Sequence, residues 1–223
     1  HPVIINMVKF HEMDIFGIQE ALNHQVKDLA DGLPNFSYLG VGRDDGGEKG
    51  EYTAIFYNKE KFKELESDTF WLSEDTTQPN KGWDAQLPRI CTWAKMEVLE
   101  TGKQFYVFNT HFDHKGETAR SESAKLIIDK IKELNQQGHP LVLMGDLNLE
   151  PDSEPITLLS SHFNDAREKS TGVVFGPVMV LWFLVLAVLS LVDLAVGSPR
   201  AFDSAAPNTS TRKSVNSRKR SGR

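Results

Sequence analysis

Three apolar segments of this chain each run into polar residues that could do chemistry. Asp14–Gln19 leads into Glu20. Gln104–Thr110 ends in "FNTHFDH", which sets Asn109, His111 and Asp113 two apart. "LVLMGDLNLEP" passes Gly145 and places Asp146 and Asn148 two apart. Side chains alternate along a strand, so residues two apart share a face. If the three strand ends lie side by side, they gather Glu20, Asp146 and Asp113 with His111, Asn109 and Asn148. Carboxylate and amide oxygens are hard donors, better suited to Mg²⁺, Mn²⁺ or Ca²⁺ than to zinc. Magnesium usually takes one or two carboxylates, and water and substrate phosphate complete its shell. His111 can donate a hydrogen bond to a phosphate oxygen or shuttle a proton. Asn148 can hold an attacking water or a phosphate oxygen without adding negative charge. Such a pocket suits phosphoester hydrolysis assisted by Mg²⁺ or Mn²⁺.

Each residue also has an ordinary reading. Glu20 precedes Ala21-Leu22 and could be a helix-start residue. Gly, Asp and Asn favour turns, so Asp146 and Asn148 could form a plain turn. A single histidine such as His111 is usually a satisfied structural one. Asp113 and His114 could pair with Arg120 or Lys115. Glu51 and Tyr52 read as a strand edge, and Arg89 as a surface or ion-pair residue. The combination is harder to dismiss than any member.

The elements that must position these groups are legible from periodicity. In His1–Met13, Ile4, Met7, Val8 and His11 have helical spacing. Asp14–Gln19 reads as a buried strand and Ala21–Ala30 as a helix stopped by Gly32 and Pro34. Arg43–Gly50 is a polar, Gly-rich loop. Glu51–Asn58 and Asp68–Ser73 read as strands. Arg89–Leu99 and Gln104–Thr110, joined by the turn at Thr101-Gly102, read as a hairpin. Glu117–Gln136 is the strongest helix, with Ala124, Ile127, Ile128, Ile131 and Leu134 as its apolar stripe. Leu141–Met144 is a strand, and Pro151–Ser161 is loop and short helix with Ser153 at the N-cap. Irregular alternation with a hairpin predicts an α/β fold of mixed sheets flanked by helices.

Composition divides the 223 residues unevenly. Residues 1–171 carry 18 Lys and Arg against 29 Asp and Glu, a net of −11, and residues 172–223 a net of +5. An acidic body is a poor general nucleic-acid binder, because phosphates are neutralised by clustered Lys and Arg. It does not exclude one local phosphoester site. Cys91 is the only cysteine, so no disulfide can form within the chain. His1 follows no signal pattern, which suggests a removed segment or a fragment. Val173–Val192 is a run of 20 uncharged residues, the length of a membrane-spanning helix. From Gly197 on, the small, polar and basic composition predicts disorder. The expected organisation is a body over 1–171, a candidate transmembrane helix over 173–193 and a basic tail over 194–223. A genuine span would make the protein membrane-associated; otherwise it would be a soluble secreted, periplasmic or cytoplasmic protein.

Residues 14–171 resemble the endonuclease/exonuclease/phosphatase superfamily, the DNase I-like metal-dependent phosphoesterases. The matching features, in order, are "DIFGIQEA", "GEYTAIFYNKEKF", "PRICTWAKM", "NTHFDH" followed by Ala119-Arg120 and Ser123-Ala124, and "LVLMGDLN". The resemblance implies a partial four-layer α/β/β/α sandwich with two central sheets. It implies Glu20 and Asp146 as the metal-site residues, with Asp146 also orienting or deprotonating the attacking water. It implies that Asn148 positions the scissile phosphate and that His111 contacts the phosphate or donates a proton. Asn109, Arg89 and Asp113 follow as candidate substrate-binding or supporting groups, with Glu51 a weaker carry-over. The substrate would be a phosphoester: a sugar phosphate, a lipid headgroup or a nucleotide.

The chain also departs from the family pattern. The family's first strand, with its Asn near the metal, would lie upstream of His1, and no "SDH" follows Gly172. The segment "FGPVMVLWFLVLAVLSLVDL" instead resembles one transmembrane helix of Kup-type potassium-uptake permeases. Three accounts follow: a Mg²⁺-dependent, bacterial phosphoesterase, a truncated or chimeric chain without activity, and a membrane-anchored module that retains a phosphate-bearing ligand uncut. For the activity of this chain itself, the truncated or chimeric account is the preferred expectation.

Overall fold

The computed structural model describes residues 2–166. In chain order the elements are α1 (Pro2–Phe10), β1 (Ile15–Leu22), α2 (Asn23–Gly32), β2 (Phe36–Leu39), β3 (Glu51–Asn58), β4 (Phe62–Trp71), β5 (Ile90–Val98), β6 (Gln104–His111), α3 (Glu117–Leu134), β7 (Leu141–Asp146) and α4 (Glu154–His162). One sheet has the order β1-β3-β2 and the other β4-β5-β6-β7. All neighbours are antiparallel except β6 and β7. A parallel pair needs a long crossover, and α3 supplies it.

Three apolar layers make this the expected four-layer sandwich. Val8, Val26 and Leu29 of α1 and α2 pack on Phe16, Ile18 and Phe56 of the first sheet. Ile127, Ile131 and Leu159 of α3 and α4 pack on Trp93, Tyr106 and Phe108 of the second. Between the sheets lie Ile15, Ile55, Met96, Phe105, Val107 and Met144. Each isoleucine buried from the α3 stripe contributes about 1.5–3 kcal/mol relative to exposure.

Several boundaries differ from expectation. The first strand continues through Leu22, so α2 starts at Asn23 rather than Ala21. The fourth strand begins at Phe62, ahead of the expected Asp68, because Lys63, Glu64 and Glu66 carry charge along a sheet edge and hide the apolar signal. The four-residue strand β2 is too short to show a period. Ser153 does occupy the N-cap of α4, but its hydroxyl donates to the Glu150 carbonyl instead of capping. Helix α3 has Gly116 at its N-cap, which has no side chain to cap with. Asp84, far back in the chain, accepts from the Ala119 and Thr118 amides at 2.7 and 3.3 Å.

The sheets are tied together by one amide. Asn109 is fully buried and faces β1 across the sandwich. Its Nδ2 donates to the Ile18 carbonyl at 3.1 Å and the Ala54 carbonyl at 2.8 Å, and its Oδ1 accepts from Gln19 Nε2 at 2.6 Å. Gly17 makes room for it, since a Cβ there would lie 2.7 Å from the Asn109 side chain. Gly145, at φ +142°, has the same kind of constraint on β7, where a Cβ would strike the Thr110 carbonyl. The "MGD" of the third strand end is therefore a close-packing feature of the sheet.

The apolar run and basic tail expected over 173–223 lie outside the described residues. Among the described residues no helix is long and apolar enough to cross a membrane.

Asn109→Ala leaves two buried carbonyls and one amide unpaired, and is expected to lower stability by about 3 kcal/mol, read from a urea midpoint. Gly17→Ala is expected to cost less in the Asn109→Ala background than alone, because the clash is gone. Additive effects would show that Asn109 does not fill that space.

Candidate active site

The strand ends meet at one end of the sandwich. His111 and Asp146 are register partners on the parallel strands β6 and β7. His111 continues the face of Val107 and Asn109, and Asp146 the face of Met144, so both look toward the first sheet. Glu20 reaches this face through a β-bulge. Ile18 pairs with Ala54 and Ala21 with Tyr52, which leaves Gln19 and Glu20 opposite Thr53 alone. The bulge resets the alternation, so that Ala21 returns to the helix-side core and Glu20 does not. Glu20 takes the left-handed conformation, φ 61°, uncommon outside glycine. Its half-exposed carboxylate lies 3.9 Å from His111 Nε2.

His111 is buried, and the group beneath it is Arg89. Arg89 Nη1 lies 3.1 Å from His111 Nδ1, and Nη2 lies 3.0 Å from His114 Nδ1. Its Nε meets Asp113 Oδ2 at 3.4 Å. A guanidinium only donates, so His111 Nδ1 must accept. Burial first, and then the charges of Arg89 and Arg43, push the His111 pKa down to about 3. A neutral ring that accepts at Nδ1 carries its proton on Nε2, the atom facing Glu20. His111 therefore enters the cleft as a neutral N–H donor.

Asp113 is the anchor of that arrangement. Burial alone would raise its pKa, but amide hydrogen bonds from Gly116 and Lys115 and the Arg89 charge win and hold it down at about 2. The Gln86 and Leu87 amides also point at Oδ2, which ties the 74–86 loop to the site. Asp113 and Arg89 are buried and engaged with protein groups. Asn109, with its polar atoms spent between the sheets, does not line the cleft. The structure thus puts the three candidate substrate-binding residues beneath and behind His111, because their polar atoms already have internal partners.

Asp146 Oδ1 accepts from the Asn148 amide at 2.9 Å, and Asn148 takes φ 49°. This bond is a local Asx-type contact between a side chain and the amide two residues on. Asn148 Nδ2 donates to the Phe112 carbonyl, joining this turn to the end of β6. Oδ2 of Asp146 has no hydrogen-bond partner among the described residues. His114, expected beside Arg120 or Lys115, pairs with Arg89 instead. Arg120 Nη1 bonds the Asp113 carbonyl.

Among the described residues no three His, Cys, Asp or Glu side chains form a ready-made metal cage. The donors do fit an ion held mainly by water. Glu20 offers an outward carboxylate with no Lys or Arg partner among the described residues. His111 Nε2–H, 3.9 Å from that carboxylate, and Asp146 Oδ2 leave room for the waters that a hydrated magnesium ion retains. Zinc would need more ligands, and softer ones.

Sequence reasoning missed Arg43. It is buried, it bonds Glu51 at 2.6 Å, and its charge reaches both Arg89 and His111. A lone arginine in a glycine-rich loop has no period, and only its pairing with Glu51 reveals it.

The folded pKa of His111 lies below its unfolded value, so its contribution to stability is present above pH 6.5 and is lost as pH falls toward about 3. Asp113 adds a further loss below pH 3.8, as pH approaches about 2. Nitrogen NMR at pH 6 is expected to show His111 neutral and protonated at Nε2. An imidazolium at that pH would contradict the Arg89 arrangement.

Comparison with known proteins agrees with this fold. The Endonuclease/Exonuclease/phosphatase family matches residues 3–222. A mannosyl-6-phosphatase of Bacteroides thetaiotaomicron VPI-5482 is 48% identical over 72% of this chain and 61% of its own, with a TM-score of 0.71. A Bacteroides vulgatus endonuclease/exonuclease/phosphatase is 47% identical over 71% of this chain and 61% of its own, with a TM-score of 0.69. The human Nocturnin catalytic domain, 19% identical over 70% of this chain and 59% of its own with a TM-score of 0.59, shares the fold. The chain spans about three fifths of the length of these structures. No curated protein matches it. The protein belongs to the Endonuclease/Exonuclease/phosphatase family.

Proposed function

We propose that the cleft between β1 and the β6–β7 strand ends hydrolyses a phosphoester with the help of a divalent cation. A sugar phosphomonoester is the favoured substrate. The observation that carries the reading is the neutral His111, its Nε2–H turned toward Glu20 and its other nitrogen fixed by Arg89. The 48% identity to a mannosyl-6-phosphatase supports the substrate class.

The residues divide the work as follows. Glu20 would hold Mg²⁺ or Mn²⁺, which supplies Lewis-acid stabilisation of charge on the phosphoryl oxygens. Asp146, whose Oδ1 is fixed by the Asn148 amide, orients a water with Oδ2 and takes its proton. That water attacks phosphorus in line, the ester P–O bond breaks, and the departing oxygen takes a proton from solvent water to leave as an alcohol, while the proton held by Asp146 returns to solvent. His111 donates Nε2–H to a non-bridging oxygen, and it is worth most where charge builds up in the transition state. A neutral imidazole suits that donation better than proton delivery. Asn148 keeps the Asp146 turn against the end of β6, beside the phosphate position. Arg89 and Asp113 are positioning residues that act through His111.

A second reading keeps the same groups without turnover: Glu20, His111 and Asp146 would retain a phosphate-bearing ligand uncut.

Mg²⁺-dependent phosphate release from mannose 6-phosphate separates these readings. Glu20→Gln and Asp146→Ala are each expected to lower kcat/KM by about 100-fold or more, with little change in Tm. EDTA should abolish turnover. Stabilisation by mannose 6-phosphate without any product would establish the binding reading instead. Turnover unaffected by either substitution would place the chemistry elsewhere.

A further inference from the structure

Arg89 binds three side chains, and one of them is exposed. His111 and Asp113 are buried, whereas His114 stands at the surface. Arg89 Nη2 lies 3.0 Å from His114 Nδ1. A guanidinium only donates, so this ring nitrogen accepts, and the proton of the neutral ring sits on Nε2. Among the described residues no hydrogen bond uses His114 Nε2. The backbone is held as well. His114 lies inside the turn that Asp113 closes, where Oδ1 accepts from the Lys115 and Gly116 amides at 3.0 and 2.8 Å. His114 is thus a fixed N–H donor open to solvent, one guanidinium away from His111.

The order of the strands puts this donor on a particular side of the cleft. Asp146 ends β7, His111 ends the neighbouring β6, and Arg89 immediately precedes β5, which flanks β6 on its other edge. β5 runs antiparallel to β6, so its start lies beside the end of β6. Arg89 therefore reaches His111 from the side opposite Asp146, and it holds His114 there. In an in-line displacement the attacking and leaving oxygens lie on opposite sides of phosphorus. With the attacking water at Asp146 and a phosphoryl oxygen at His111, the departing alcohol points toward His114.

We propose that His114 Nε2–H binds the alcohol portion of the substrate, donating to a hydroxyl oxygen of a sugar phosphate. This rests on the phosphoesterase reading and supplies its leaving-group contact. A hydroxyl carries lone pairs that accept from a neutral N–H, whereas a phenyl ring in the same place offers none. His114 therefore favours hydroxylated monoesters over aryl ones. The ring is oriented before substrate arrives, by Arg89 at Nδ1 and by the Asp113 turn along the backbone, so little is lost in ordering it on binding.

The test measures phosphate release from mannose 6-phosphate and from phenyl phosphate, using the full chain with Mg²⁺. Calorimetric binding of mannose 6-phosphate and of inorganic phosphate accompanies it, in the Asp146→Ala background that slows turnover. His114→Ala is expected to lower the ratio of the two kcat/KM values, sugar over phenyl, by about three- to tenfold. The affinity for mannose 6-phosphate relative to inorganic phosphate should fall by a similar factor. His114→Gln, whose Oε1 can accept from Arg89 while Nε2 donates, is expected to recover part of both. Two results would overturn the proposal. One is a fall of equal proportion for both esters, the mark of a purely structural role exerted through Arg89 and His111. The other is a ratio of affinities that His114→Ala leaves unchanged. If wild type cleaves neither ester, the hydrolase reading fails and the affinities alone decide. A selective loss of mannose 6-phosphate binding in His114→Ala then sustains the contact. Mannose 6-phosphate bound no more tightly than inorganic phosphate with His114 intact refutes it.

Discussion

Arg89 is buried with its Nε on Asp113 and its Nη atoms on His111 and His114, and a guanidinium has no lone pair to offer. From that constraint the state of the cleft follows. His111 must accept at Nδ1, so its proton lies on Nε2. Asp113 must stay ionised, because a buried guanidinium without a partner is costly. The amides of Gln86, Leu87, Lys115 and Gly116 must converge on Asp113, because one charge pair does not satisfy both carboxylate oxygens. Two loops distant in sequence are thereby fixed around a single side chain.

The sandwich supplies the second half of the geometry. His111 and Asp146 are placed by a parallel pairing, and a parallel pairing needs α3 on the outer face. Glu20 comes from the other sheet, and its height relative to His111 depends on how closely the sheets approach. Asn109 sets that approach by bonding two carbonyls of the opposite sheet, and Gly17 permits it. A packing contact between strands thus sets the distance between a carboxylate and an imidazole.

Much of this was legible before any coordinates. Apolar runs ending in polar residues marked three strands and the ends at which they gather polar groups, because a buried strand cannot carry Glu, His or Asp except where it emerges. The hairpin and α3 followed from turn chemistry and an apolar stripe. What stayed hidden was non-local. The bulge at Glu20 leaves no trace in composition, since it is a count of residues against a partner strand. Asn109 looked like a substrate contact because it lies two residues from His111 on the same face. Only the opposite sheet shows that its polar atoms are spent. Asp84 caps α3 from another part of the chain, and Arg43 acquires meaning only through Glu51, eight residues on.

The central claim is that Glu20 and His111 form opposite sides of one pocket for a cation and a phosphate. Phosphorus relaxation of inorganic phosphate with Mn²⁺ in place of Mg²⁺ tests it most directly, because paramagnetic enhancement falls steeply with distance. The account predicts strong enhancement with the intact chain, lost in Glu20→Gln and weakened in His111→Gln. Enhancement that persists without Glu20, or phosphate that binds unaffected by the bound manganese, would contradict it.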